Sequence, residues 1–152
     1  MGTSFSEIFD AFMQLVNDYK LVALYQNSRV NFETYLSGWL ISAVNLDFLN
    51  CNQSLSYDTT MKAFTETLTQ QNLLILARIM VKYWLMKEVQ DVTQMSIHIQ
   101  DNDFKTFSEA QNLQAKKSYL AQVQEDVSQL LVNYGLNNID WTSWYAGSFY
   151  TP

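Results

Sequence analysis

The sequence predicts a mainly α-helical bundle of about four to five helices, with a small β-ribbon as an open addition and an aromatic C-terminal arm. Three observations lead there. Only four Gly occur in 152 residues and the one Pro is the last residue, so long stretches contain no helix breaker. Within those stretches apolar residues recur every three or four positions. The last ten positions before Thr151 depart from both patterns, because Trp141, Trp144, Tyr145, Phe149 and Tyr150 are aromatic and only Asp140, just before them, is charged.

The first helix is expected over about 5–19, with a continuation to Tyr25 left open. Ser4-Phe5-Ser6-Glu7 is a capping-box pattern, and Phe5, Ile8, Phe9, Phe12, Leu15, Val16 and Tyr19 share a face. Asn31 is the expected cap of a second helix reaching about Asn45, with Phe32, Tyr35, Leu36, Trp39, Leu40 and Ala43 aligned. Residues 50–60 are turn-rich. The alternation in AFTETLT suits a short strand over 63–68, because Thr favours the extended backbone.

Thr69 should cap the most apolar helix, about 70–93. Leu73, Leu76, Ala77, Met80 and Trp84 make one stripe, and Leu74, Ile75, Ile79, Val81 and Leu85 widen it almost around the helix. A helix apolar on most sides belongs at the centre of its bundle. Met95, Ile97 and Ile99 alternate with polar residues, so 95–99 is a candidate strand that could pair with 63–68; coil or helix at these positions stays open. A turn is expected at 100–103. The last helix starts near Ser108, carries Leu113, Leu120, Val123, Val127, Leu130 and Tyr134 on a heptad-like seam, and should stop at Gly135 as its C′ residue. The chain thus divides into a helical domain, 1–138, and an arm, 139–152.

The candidates for chemistry are few. Cys51 and His98 are each the single residue of their type, which leaves no disulfide framework and no thiol metal cluster. Asp101-Asn102-Asp103 begins like a calcium loop, but Lys105, Thr106 and Asn112 stand where a ligand, the required Gly and the closing Glu belong. No Gly-rich phosphate loop or nucleophile elbow is present. No catalytic residue, cofactor or metal is therefore assigned, and an enzyme is not expected. The formal net charge of −6 argues against a general nucleic-acid binder. The longest apolar run, LLILARIMVKYWLM, is short for a bilayer and includes Arg78 and Lys82, and no signal peptide is evident, so a soluble intracellular protein is expected.

The segment LLILARIMVKYWLMKEVQDVTQMSIHIQDNDFKTFSEAQNLQAKKSYL resembles small proteins encoded beside capsid and portal genes in tailed bacteriophages. The marks are ILARIMVKYWL at 75–85, DNDFK at 101–105 and SEAQNL at 108–113, together with SFSEIFDAF near the start and the terminal WTSWY. The resemblance implies a head–tail connector, also called an adaptor or neck protein. Such a protein is mainly helical and forms a ring, typically of twelve copies, under the portal. It extends the DNA channel, with DNA only as passing cargo, and offers a platform to neck and tail proteins; a virion location and no membrane contact follow. In several connector families a C-terminal arm docks on the portal, which makes Trp141, Trp144, Tyr145, Phe149 and Tyr150 the expected protein-interaction residues. The ribbon is a departure from a purely helical pattern. The alternatives are another neck or tail-completion component, or a soluble helical protein-interaction adaptor.

Overall fold

The helix Gln70–His98 lies at the centre of the bundle. The structure, a computed structural model, describes residues 2–98 and 106–142. In chain order the elements are α1 (Phe5–Leu15), α2 (Tyr19–Asn27), α3 (Arg29–Ser42), a π-helical turn (Ala43–Asp47), β1 (Tyr57–Asp58), β2 (Ala63–Phe64), α4 (Gln70–His98) and α5 (Thr106–Asn137). The expected helical bundle with a small ribbon is what forms. α4 packs against α1, α3, the π-helical turn and α5. Leu73, Ile75, Leu76, Ala77, Ile79, Met80, Val81 and Leu85 are all buried, which fits a helix apolar on most sides. Among the described residues no helix is long and apolar enough to cross a membrane.

The first helix does not run to Tyr19. It ends at Leu15, and Val16 is extended at φ −123°, ψ 124°. The cause is Asp18, which is buried and holds both carboxylate oxygens in use. Lys20 N–H donates to Oδ1 at 2.8 Å, capping α2, and Trp84 Nε1 donates to Oδ2 at 3.0 Å. A short acidic side chain that binds its own backbone two residues on competes with helix continuation. The break turns α2 so that Leu21 also reaches the core. Trp84 is only half-buried, a correction to its expected place in the central stripe.

At the start of α1, Glu7 Oε1 accepts from the Ser4 N–H at 2.9 Å, so the capping box is present. α3 is capped by Ser28, whose Oγ accepts from Asn31 N–H at 3.3 Å; Asn31 is the capped residue and not the cap. Thr69 caps α4 through Asn72 N–H at 3.3 Å, as expected. Gly135 does not stop α5. Its φ is not positive, and the helix runs on to Asn137, where the side-chain amide of Asn138 donates to Tyr134 O at 2.8 Å. A side-chain cap satisfies the terminal carbonyl without a left-handed glycine.

The ribbon exists, but 95–99 is not its second strand. β2 pairs antiparallel with β1, Tyr57 facing Phe64 and Asp58 facing Ala63. On its other edge β2 meets the N-terminal segment: Phe64 N–H donates to Thr3 O at 2.8 Å and Thr3 N–H to Glu66 O at 3.1 Å. Both edges are taken. Residues 95–98 continue α4, since no Gly or Pro interrupts the helix after Gln70; Ile99 and the 100–103 turn lie outside the described residues. Gly2 is required at this seam, because a Cβ there would stand 1.7 Å from Phe64 O. Phe5 then closes the ribbon onto the bundle through Phe64 and Tyr57, with ring centroids 5.4 and 6.0 Å away.

Lys62 ties the ribbon to α3 by an ion pair with Glu33 at 3.1 Å, and Arg29 bonds the same carboxylate at 2.9 Å. Burial alone would raise the Glu33 pKa, but the Arg29 and Lys62 hydrogen bonds outweigh it and hold the group below its ordinary value. A carboxylate with a lowered folded-state pKa contributes stability above its ordinary pKa, and that stability is lost as the pH falls through the folded value. Glu33→Gln should therefore flatten the fall of melting temperature on acidification below the carboxylate range, measured by circular dichroism. Leu76→Ala, at a fully buried point of α4, should lower stability by about 2–5 kcal/mol in a urea titration.

Candidate functional site

α5 touches the bundle along one seam, and that seam has two unequal flanks. Val123, Val127 and Tyr134 are buried, and Leu120, Leu130 and Leu131 pack beside them. At 3.6 residues per turn, Leu130 falls on one edge of the seam and Leu131 on the other, with Gly135 beyond it. Each edge opens into an apolar groove. The first groove, of about 360 Å³, lies where α1, α4 and α5 meet, and is lined by Leu15, Gln71, Leu74, Ile75, Arg78 and Leu130. Leu15 and Leu74 remain 41% and 47% exposed, although both belong to faces otherwise buried. The Arg78 guanidinium at its rim has no hydrogen bond or ion pair among the described residues; the cations of Lys20, Arg29, Lys62, Lys82, Lys87 and Lys116 all do.

The second groove, of about 470 Å³, opens on the other flank. Leu131, Val132, Leu136 and Ile139 form its apolar side, and Asn50, Asn52 and Asn138 its amide side. Its floor is a polar network that joins the 50–53 loop to both long helices. The Tyr134 hydroxyl donates to Asn52 Oδ1 and accepts from Asn52 N–H at 3.0 Å. Asn52 Nδ2 donates to Asn138 Oδ1 at 3.1 Å. Asn72, 1% exposed, donates through Nδ2 to Asn52 Oδ1 at 3.2 Å and to Gln53 Oε1 at 2.7 Å. Gln53 Oε1 also accepts from Thr69 N–H at 2.8 Å. These bonds fix the orientation of the Asn72 amide, because turning it over would set oxygen against oxygen. Its Oδ1 is then buried without a hydrogen-bond partner among the described residues.

The aromatic arm begins at this second groove. Ile139 lines it, and Trp141, 49% exposed, starts a short turn with Thr142. The Thr142 N–H donates to Asp140 Oδ1 at 3.1 Å, which caps that turn. Of the expected interaction residues, the structure places Trp141 alone; Trp144, Tyr145, Phe149 and Tyr150 lie outside the described residues. Cys51 is partly buried beside Tyr134, with Sγ 3.8 Å from the hydroxyl. Burial first, then the Cys51 contact, pushes the Tyr134 pKa up, so the phenol stays a neutral partner in the network. His98 ends α4, and its side chain lies outside the described residues.

A third hollow, of about 270 Å³ between α2, α3 and α4, gathers Asp18, Lys20, Tyr35, Trp84, Glu88 and Asp91. Its charges are bridged to one another except that of Asp18, whose carboxylate accepts from the Lys20 N–H and the Trp84 indole. Glu88 meets Lys116 at 2.8 Å and Lys20 at 3.6 Å, and Lys87 meets Asp91 at 2.7 Å. The Asp91 hydrogen bond raises the Lys87 pKa, and burial raises that of Tyr35; both move away from neutrality. A general acid or base is tuned toward working pH, so this hollow reads as an ion-pair joint between helices. Among the described residues no group of three or more His, Cys, Asp or Glu could hold a metal ion.

No family model, no curated protein and no solved structure matches the chain.

The sequence placed Leu15 and Leu74 in core faces, and nothing in their spacing distinguishes an uncovered edge from a buried centre. The Asn52–Gln53–Asn72–Tyr134 network was also missed. Its one sequence signal is Asn72, a polar residue directly before the most apolar run. Tyr134→Phe removes both bonds to Asn52 and should lower stability by about 1–2 kcal/mol in denaturant titration.

Proposed function

We propose that this chain acts by assembly, as a head–tail connector of a tailed bacteriophage. In this reading it forms a ring under the portal, typically of twelve copies, extends the DNA channel and joins the head to neck and tail proteins in the virion. The observation that carries an assembly role is the pair of uncovered apolar grooves on the two flanks of α5, with the aromatic arm rooted in one of them. Apolar side chains left exposed along a groove, close to an aromatic side chain, can serve as anchor points for another chain. The resemblance of 73–120 and of the terminal WTSWY to proteins encoded beside portal genes supports the connector as the particular assembly. Tight phosphate contacts would hinder DNA sliding through a channel, and the net charge of −6 is compatible with a wall that avoids them.

The soluble adaptor is the reading with which this one competes, since it would use the same grooves. Purification with a portal ring separates the two. Truncation after Asn138 provides the sharper measurement. The arm should be dispensable for folding and needed for joining, so the truncated chain should keep a nearly unchanged melting temperature and fail to enter particles in a complementation assay. A truncated chain that unfolds would assign the aromatics to the bundle, and one that still assembles would remove the arm from the mechanism.

A further inference from the structure

We infer that the α1/α4/α5 groove is the receptor for the aromatic arm of a second copy of this chain, an inference that rests on the assembly reading above. The groove has the chemistry of a site for an aromatic side chain flanked by few charges. Leu15, Leu74, Ile75 and Leu130 offer apolar walls, Gln71 offers an amide, and Arg78 stands at the rim without a carboxylate partner among the described residues. A guanidinium stacks on Trp and Tyr faces and is weakly hydrated, so an aromatic ring satisfies it where a Lys would ask for an anion. Of the chain beyond the described residues, 143–152 supplies that chemistry. It carries Trp144, Tyr145, Phe149 and Tyr150 and no charged side chain, whereas the 99–105 segment has three charged residues and one aromatic. The groove's volume, about 360 Å³, suits one or two such side chains.

The position of the arm's root argues for a second copy over the same chain. Ile139 lies in the groove on the Leu131 flank of α5, and the receptor lies on the Leu130 flank. The arm of one copy therefore leaves from one side of the helix, while the matching groove faces the other. Contact between two different surfaces of identical subunits is head-to-tail, and it closes into a ring when the rotation between copies permits.

Paired cysteines test this in the full-length protein with Cys51→Ala as background. One chain carries Gln71→Cys at the groove, and another carries Ser143→Cys at the start of the arm, so the aromatic anchors, the apolar walls and Arg78 are all kept. On oxidation of the mixed proteins at high concentration, a disulfide between the two chains should form. Leu74→Glu or Arg78→Glu on the groove chain should lower its yield about fivefold or more, with the circular dichroism spectrum unchanged. Both side chains are exposed, so the fold should survive. No cross-chain product at any concentration would overturn the inference. So would a disulfide that forms only when both cysteines are on one chain, because the arm would then occupy its own groove. A cross-chain yield that Leu74→Glu and Arg78→Glu leave unchanged would also overturn it. A groove-dependent product from a protein that never purifies with a portal ring would sustain the docking and remove only the connector reading.

Discussion

An apolar helix must be covered on every side that is apolar, and α4 has almost no polar side between Asn72 and Leu85. The rest of the chain is organised by that demand. α1 covers one face with Phe5, Ile8, Phe9 and Phe12, α3 covers another with Leu36 and Leu40, and α5 brings Val123, Val127 and Tyr134 to a third. The aromatic residues of α1 and α3 then meet each other, Phe9 with Phe32 and Phe12 with Trp39, which closes the layer over α4. α5 is the last in the chain and is exposed over most of its described length. Its long outer surface has no helix packed on it among the described residues, and the two grooves are the edges of that incomplete wrapping.

Burial of an apolar helix fixes neither its direction nor its depth. Those are set by the polar contacts at its ends and flanks. Asn72 and Thr69 join the start of α4 to Gln53 and Asn52, and Asn52 joins the same loop to Tyr134 near the end of α5. Midway along α4, Trp84 reaches the Asp18 carboxylate between α1 and α2. A hydrophobic face tolerates sliding by a turn, whereas a buried amide with assigned donors does not. These groups therefore specify one registry among several that would bury similar area.

The bundle was legible in the sequence because periodicity records which residues turn inward. The stripe of α4, the seam of α5, the Ser4 box and the Thr69 cap could all be read. Two of the failures depended on a partner distant in sequence, while those at the helix ends turned on which nearby side chain takes the cap. Asp18 breaks the first helix because Trp84, sixty-six residues later, takes its second oxygen. β2 finds Tyr57–Asp58 and the Thr3 segment instead of 95–99, since local alternation says nothing about which edge is near. Gly135 was read as a stop from its type, while Asn138 does the stopping through a bond to Tyr134. The candidate surface was half legible. The arm announces itself by composition, but the receptor groove consists of Leu15 and Leu74, which look like core, and Arg78, which looks like an ordinary surface cation.

The π-helical turn at Ala43–Asp47 has a consequence for how this chain tolerates changes in length. A bond from Phe48 N–H to Ala43 O spans five residues, so the turn holds one residue more than an α-helical turn would. That residue is what carries Asp47 round to Lys82 Nζ at 2.5 Å and to the Tyr83 hydroxyl at 2.7 Å, while Phe48 is delivered to the ring of Tyr134 at 5.0 Å. Loss of one residue here would let α3 continue as regular helix and rotate everything after it by about 100°. The carboxylate would then face away from its cation, and Phe48 away from α5. A gain of one residue beside Leu49, which is exposed and precedes the 50–53 network, would instead be absorbed there. A one-residue change in length is thus tolerated at Leu49 and not within the turn, where the hydrogen-bond spacing decides which way Asp47 and Phe48 point.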